Sequence, residues 1–168
     1  MRFEKVSFET FVSDLSKSGI SFTLEDAEKY YNEIQLPKRQ TKYTAGYDFA
    51  VPVPFYLSGN TTRIVPTGIK CHFDSKEAEA WHLNLYIRSS MGNHGIVLAN
   101  GTGVIDGDYY NNPDNEGDIM IALHNTLAFG KYFEAGERVM QGIFELHGKI
   151  YGDDVTEIRT GGTGSTGR

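Results

Sequence analysis

Two aspartates in the stretch GTGVIDGDYY are spaced so that they could do acid–base or metal chemistry. Asp106 and Asp108 follow an Asn-Gly turn signal at Asn100, which predicts a tight hairpin. Side chains alternate between the two faces of a strand, so a strand over 104–109 would place both carboxylates on one side. Such a pair could activate a water molecule or hold a metal ion through water. The alternative is that both are solvated strand residues.

Groups that suit phosphate oxygens occur at two other places. Arg88, Ser89 and Ser90 follow the apolar strand WHLNLYI, and an arginine beside two hydroxyls is a good phosphate ligand. The start of a capped helix would look the same. Arg138 and Gln141 lie on a strand that follows a Gly-Glu turn. A buried arginine there needs an anion or a carboxylate, and a structural ion pair with a distant aspartate is the alternative.

The C-terminal stretch RTGGTGSTGR, which begins at Arg159, has two interpretations. Segments rich in glycine and serine usually behave as flexible linkers. The same residues could also wrap backbone N–H groups, hydroxyls and guanidinium groups around a chain of phosphates.

Composition limits the classes of function. The net charge of −6 argues against general nucleic-acid binding, which needs a basic face. No apolar run approaches the length that spans a bilayer, and the N-terminus lacks the apolar segment of a signal peptide. With a single cysteine, Cys71, the sequence predicts a cytoplasmic protein. The five histidines show no zinc-binding spacing.

The order of elements predicts one domain that is mainly β. Apolar residues in FETFVSDLSK and TLEDAEKYYNEI recur at helical spacing, and Thr23 is suited to cap the second helix with Asp26 three residues on. From Tyr43 onward, short apolar runs alternate with turn residues, which indicates an all-β sandwich, jelly roll or barrel. Pro52 and Pro54 favour an edge or a loop.

These segments resemble, in order, the five motifs of the trimeric dUTPases, the deoxyuridine triphosphate nucleotidohydrolases. The motifs correspond to Ala45–Phe49, Arg88–Ser90, Gly95–Tyr110, Gly136–Gln141 and Gly161–Gly167. The linking segment Val65–Gly68 also matches. The resemblance covers residues 36–168, and its third motif is the most specific.

The resemblance implies a distorted jelly-roll (β-clip) subunit, all-β with short N-terminal helices, in a homotrimer whose active sites are shared between subunits. It divides the chain into an N-terminal extension over 1–35, a β core over 36–150, and a flexible C-terminal arm over 151–168. The arm is expected to close over a neighbouring active site. The implied reaction is Mg²⁺-dependent hydrolysis of dUTP to dUMP and pyrophosphate, which keeps uracil out of DNA.

The resemblance also implies a role for each residue. Asp106 activates the attacking water, Asp48 supports Mg²⁺ through water, and Arg138 is structural and pairs with Asp48. Backbone groups of the hairpin read uracil, while the Tyr109 ring lies under deoxyribose and leaves no room for a 2′-hydroxyl. The residues implied to bind substrate are Arg88, Ser89, Ser90, Asn100, Gly103, Val104, Ile105, Tyr109, Gln141, Arg159, Gly164, Ser165 and Thr166.

Some residues depart from the family pattern. Thr163 replaces the usual phenylalanine that stacks on uracil, and residues 110–116 are inserted after Tyr109. The related dCTP deaminases are disfavoured, because Ala122 stands where their catalytic glutamate would be. The remaining alternative is a nucleotide-sensing regulatory protein of the same fold, which would bind a partner protein through the insertion or the N-terminal helices.

Overall fold

The N-terminal region contains one strand and two short helices. The computed structural model describes residues 1–157, 159 and 161. Strand β1 (Arg2–Lys5) is followed by helix α1 (Phe8–Lys17) and helix α2 (Leu24–Glu33). Both helices were predicted, and the capping box between Thr23 and Asp26 is present. Strand β1 was not predicted.

The rest of the described chain is built mainly of antiparallel strands, which confirms the predicted all-β class. These elements are β2 (Tyr47–Ala50), β3 (Phe55–Leu57), β4 (Thr62–Pro66), β5 (Ile69–His72), α3 (Ser75–Ala78), β6 (Trp81–Ile87), α4 (Ser89–Gly92), β7 (Ile96–Leu98), β8 (Gly103–Ile105), a 3₁₀ turn (Gly107–Tyr109), β9 (Met120–Asn125), β10 (Lys131–Phe133) and β11 (Arg138–Leu146). Pro52 and Pro54 lie in the connection between β2 and β3, as expected.

The strands form small sheets around a common core. A four-stranded sheet has the order β2-β11-β6-β8, and a three-stranded sheet has the order β4-β9-β7. Two further pairs are β1-β5 and β3-β10. Phe49 and Leu83 of the larger sheet, Ile121 of the smaller one, and Phe11 and Leu15 of α1 are all buried in one apolar cluster. Helix α1 therefore packs its apolar face into the core.

The predicted hairpin at Asn100 is wrong in one respect. The turn exists, with Gly101 at φ +73°, but β7 pairs with β9 while β8 pairs with β6. Ile96 and Leu98 are buried in the smaller sheet and Ile105 lies in the larger one. The turn therefore carries the chain from one sheet to the other.

The predicted strand over 104–109 is also wrong, since β8 ends at Ile105. Beyond it, the Tyr109 N–H donates to the Asp106 carbonyl at 3.1 Å, which closes a 3₁₀ turn. Gly107 packs on Ala78 of α3, and a Cβ at Gly107 would lie 2.5 Å from the Ala78 Cβ. The close approach of Gly107 to α3 leaves no room for a side chain in this turn.

None of the helices in the described ranges has the length and apolar character needed to cross a membrane.

Candidate active site

Asp48 lies between two arginines at one corner of the four-stranded sheet. Its Oδ2 is 2.9 Å from Nη1 of Arg138, and its Oδ1 is 3.2 Å from Nε of Arg88. Only 11% of the Asp48 side chain is exposed. The structure thus contains the Arg138–Asp48 ion pair that the sequence analysis assigned, with Arg88 as a second cation. Two guanidinium groups on one carboxylate leave a net positive charge that suits an anion.

Arg88 is held at the junction between β6 and α4. Its backbone N–H donates to the Val139 carbonyl at 3.0 Å, and its Nη1 donates to the Arg138 carbonyl at 3.3 Å. Ser89 and Ser90 begin α4 and are exposed. The helix start that sequence reasoning left open is therefore real. The two hydroxyls remain accessible beside the arginine.

Gln141 lies next to this charge cluster. It pairs in register with Asp48 on β2 and with Tyr86 on β6. A Cβ on Gly46 would overlap the Gln141 side-chain amide. The glycine before β2 therefore leaves room for an amide beside Asp48.

Asp106 and Asp108 converge on one guanidinium although they do not share a strand. Nη2 of Arg159 is 3.0 Å from Oδ2 of Asp106, and Nε of Arg159 is 3.5 Å from Oδ1 of Asp108. The Arg159 N–H also donates to Asp108 at 3.2 Å. The guanidinium carbon lies 5.7 Å from the centre of the Tyr109 ring. Arg159 therefore contacts carboxylates of its own chain, and closure over a neighbouring site stays a prediction.

Strand β8 forms an edge of the sheet next to these aspartates. In the sheet order of the described chain it pairs with β6 on one side and ends the sheet on the other. An edge strand presents unpaired N–H and C=O groups, and along Gly103–Ile105 the backbone groups point alternately toward β6 and toward the open side. Asn100, in the turn before β8, is exposed, whereas Tyr109 is buried. This edge suits recognition of a planar polar base by backbone groups.

The two clusters do not meet within one chain. Ile105, the neighbour of Asp106, pairs with Leu83 near the start of β6, whereas Arg88 follows the end of that strand. The rise is about 3.3 Å per residue, so the five steps from Leu83 to Arg88 span roughly 17 Å. Asp106 and the cluster around Asp48 therefore lie at different corners of the sheet.

The fit of a magnesium ion depends on Asp48. Among the described residues, no group of three or more histidine, cysteine or acidic side chains could hold a metal ion. Both Asp48 oxygens already face arginines, which disfavours direct coordination. Each carboxylate oxygen can still accept a second hydrogen bond, so Asp48 fits contact with a hydrated ion through water.

Sequence reasoning missed two asparagines that contact Tyr109. Nδ2 of Asn112 donates to the Tyr109 carbonyl at 2.9 Å, and Nδ2 of Asn115 donates to the Tyr109 hydroxyl at 3.1 Å. The only local signal was the turn-like composition of NNPDN, in which asparagine amides often bind nearby backbone groups. The predicted phosphate contacts at Gly164, Ser165 and Thr166 lie outside the described residues.

Comparison with known proteins supports one family. A family model described as dUTPase matches residues 32–167. The deoxyuridine 5′-triphosphate nucleotidohydrolase of Lactococcus lactis subsp. lactis is 42% identical over 147 residues, covering 85% of this chain and 95% of the relative. The crystal structure of dUTPase from Streptococcus mutans matches with a TM-score of 0.70 and 36% identity, covering 90% of this chain and all of that one. A dUTPase of Staphylococcus bacteriophage 80alpha, 18% identical with a TM-score of 0.59, covers 74% of this chain and 83% of its own, and shares the fold.

Proposed function

This chain belongs to the dUTPase family, and we propose that it hydrolyses dUTP to dUMP and pyrophosphate with the two clusters described above. The observation that carries the proposal is the family match over residues 32–167 together with the accessible carboxylate of Asp106, whose side chain is 49% exposed. The match accounts for the reaction, and the residue roles below are proposals that the geometry supports.

Asp106 is the proposed general base. It takes a proton from a water molecule, whose oxygen attacks the α-phosphorus while the bond from that phosphorus to the bridging oxygen breaks. Pyrophosphate leaves with the bonding electrons, and dUMP gains the hydroxyl. A positioned base of this kind typically contributes about 10²- to 10⁴-fold. Arg159 pairs with Asp106, so we expect Arg159 to leave this carboxylate when substrate phosphates bind.

The Asp48 corner is the proposed phosphate site. Arg88 has N–H groups to offer phosphate oxygens, and the hydroxyls of Ser89 and Ser90 with the Gln141 amide add neutral donors. Mg²⁺ would be held by the substrate's phosphates and, through water, by Asp48, where it supplies positive charge against the charge of the leaving pyrophosphate. Arg138 keeps Asp48 oriented.

The β8 edge is the proposed uracil site. Backbone N–H and C=O groups between Asn100 and Ile105 match the polar edge of uracil and would oppose the amino group of cytosine. A polar mismatch of this kind can discriminate by about 10⁴-fold or more. Tyr109, just beyond this edge, is proposed to exclude the 2′-hydroxyl of ribose.

The distance between the clusters supports a homotrimer with shared sites. Roughly 17 Å along β6 is too far for Asp106 and Arg88 to act on neighbouring phosphates of one nucleotide. We propose that a second subunit supplies the missing cluster, and that the segment over 151–168 supplies Arg159, Gly164, Ser165 and Thr166. In this arrangement, residues 1–35 would form the N-terminal extension, and residues 36–150 would form the β core.

The test is pyrophosphate release from dUTP, dCTP, dTTP and UTP with Mg²⁺, using the wild type, Asp106→Ala and Arg88→Ala. We expect fast release from dUTP alone, abolished in both variants. Refolding the two variants together should restore about a quarter of the activity, because random mixing pairs an intact Asp106 with an intact Arg88 in that fraction of shared sites. No recovery would refute shared sites. Binding of dUTP without hydrolysis by the wild type would favour the sensor alternative.

A further inference from the structure

The insertion after Tyr109 is an ordered loop with its own hydrogen-bond network. Oδ1 of Asn112 accepts from the N–H groups of Asp114 at 3.0 Å and Asn115 at 3.2 Å. The N–H of Glu116 donates to the Asn112 carbonyl at 3.0 Å, and that of Asn111 donates to the Glu116 carbonyl at 2.9 Å. Asn111 and Glu116 both adopt φ +55°, a left-handed conformation that asparagine tolerates better than most residues. The loop therefore closes on itself around the Asn112 side chain.

This loop holds Tyr109 at both ends. The Asn112 amide, on a residue only 4% exposed, donates to the Tyr109 carbonyl. At the other end, the Tyr109 hydroxyl donates to the Asp118 carbonyl at 2.9 Å and accepts from the Asn115 amide. Asn115 also donates to the Asp118 carbonyl at 3.1 Å. The phenol oxygen thus makes hydrogen bonds as donor and as acceptor, which fixes both the position of the ring and its direction.

The loop is in turn fastened to the N-terminal region. The Glu116 carboxylate accepts from the N–H and hydroxyl of Ser7, from the Thr10 hydroxyl at 2.7 Å, and from Lys70 at 3.1 Å. Lys70 also donates to the Asn111 side chain at 2.7 Å. A loop anchored to a helix N-terminus and to strand β5 cannot shift without breaking charge-assisted hydrogen bonds.

We infer that Asn112 and Asn115 are positioning residues which fix the Tyr109 ring and so set the discrimination between deoxyribose and ribose. This inference rests on the proposed function, because it needs Tyr109 to lie at the sugar. Excluding a single hydroxyl requires a ring that cannot retreat, since a shift of about 1 Å changes rates by about 100-fold in well-ordered sites. The buried amides provide that rigidity.

A loop that only stabilises the fold would behave differently. Losing it would lower the stability of the protein and weaken turnover of dUTP and UTP by the same factor. A positioning loop changes the ratio between the two substrates, because a mobile ring admits the 2′-hydroxyl while the contacts to uracil and phosphates remain. The ratio of kcat/KM for dUTP to that for UTP is therefore the informative quantity.

The experiment compares this ratio in the wild type, Asn115→Ala, Tyr109→Phe, the double variant, and Pro113→Ala. Pro113 is an exposed residue of the same loop and serves as the matched control. Tyr109→Phe keeps the loop and removes only the hydroxyl, so it remains informative if Asn115→Ala folds poorly. We expect the ratio to fall at least tenfold in both single variants, to fall no further in the double variant, and to stay within twofold in the control.

An unchanged ratio in Tyr109→Phe and Asn115→Ala, with lower melting temperatures, would overturn the inference and leave the loop a structural role. Calorimetry of dUDP and UDP binding to the same variants measures the ratio of the two binding constants, which does not depend on hydrolysis. If the wild type fails to cleave dUTP, the proposed function fails, and the ratio of these binding constants still decides the role of the loop.

Discussion

The Glu116→Gln substitution should destabilise the protein in a way that depends on pH. Burial raises the pKa of the Glu116 carboxyl, but hydrogen bonds from Ser7, Thr10 and Lys70 outweigh it and lower the pKa from 4.5 to about 2. Glutamine keeps the length of the side chain and one acceptor. Its NH₂ group cannot accept from the donors that surround the second oxygen.

The magnitude follows from the pKa. A change from 4.5 to about 2 corresponds to roughly 3 kcal/mol of stability when the group is ionised. The Glu116 side chain is 33% exposed, so solvent screening reduces this to about 2 kcal/mol. Because the folded pKa is lowered, this stability is fully present above the unfolded pKa near 4.5 and is lost as the pH falls toward 2.

The assay is urea unfolding of wild type and Glu116→Gln between pH 7 and pH 3 at one fixed protein concentration, since association of subunits adds to apparent stability. We expect a difference of about 2 kcal/mol at pH 7, which shrinks steadily below pH 4.5. Glu9→Gln is the control. Glu9 is an exposed acid in the first turn of α1, the helix whose start Glu116 contacts. Loss of its charge should lower the free energy of unfolding by about 0.5 kcal/mol or less. A difference for Glu116→Gln that stays constant down to pH 3 would refute the reasoning.

Three other outcomes are expected. Asp118 is fully buried, and this burial raises the pKa of its carboxyl well above the ordinary value. In urea titrations, the wild type should therefore lose stability relative to Asp118→Asn as the pH rises above about 4, by at most about 1.4 kcal/mol per pH unit. Gly107→Ala should lower kcat/KM for dUTP at least tenfold, since its Cβ would lie 2.5 Å from that of Ala78, and adding Ala78→Gly should restore part of the activity. Asp48→Asn removes the anion between its two arginine partners, so dUTP turnover should fall by about 100-fold or more while circular dichroism shows an intact fold.

Local patterns predicted the elements whose stability is local. The helices at Phe8–Lys17 and Leu24–Glu33 follow from apolar spacing and capping residues, and β6 and β11 follow from short runs rich in apolar residues. The pairing of Arg138 with Asp48 was reached through the resemblance, because no local pattern links residues on separate strands.

The errors concern contacts that the local pattern of residue types does not reveal. Alternating acids and apolar residues made 104–109 look like a strand, but the packing of Gly107 on Ala78 and the hydrogen bond from Tyr109 to Asp106 make a 3₁₀ turn. The Asn-Gly signal at Asn100 gave the turn correctly. It carries no information about which strands pair, since that depends on which sheet buries each apolar side chain.

The N-terminal extension and the insertion are best understood as one feature. The family match begins at residue 32, so α1 lies before it, and the insertion is a departure from the motif pattern. The two segments meet at Glu116, whose carboxylate accepts from Ser7 and Thr10 at the start of α1. Tyr110 of the insertion also donates to Glu4 of β1 at 2.7 Å. Ordering a polar loop costs conformational entropy at every residue. Hydrogen bonds with the N-terminal region help to offset that cost and join the two segments to each other.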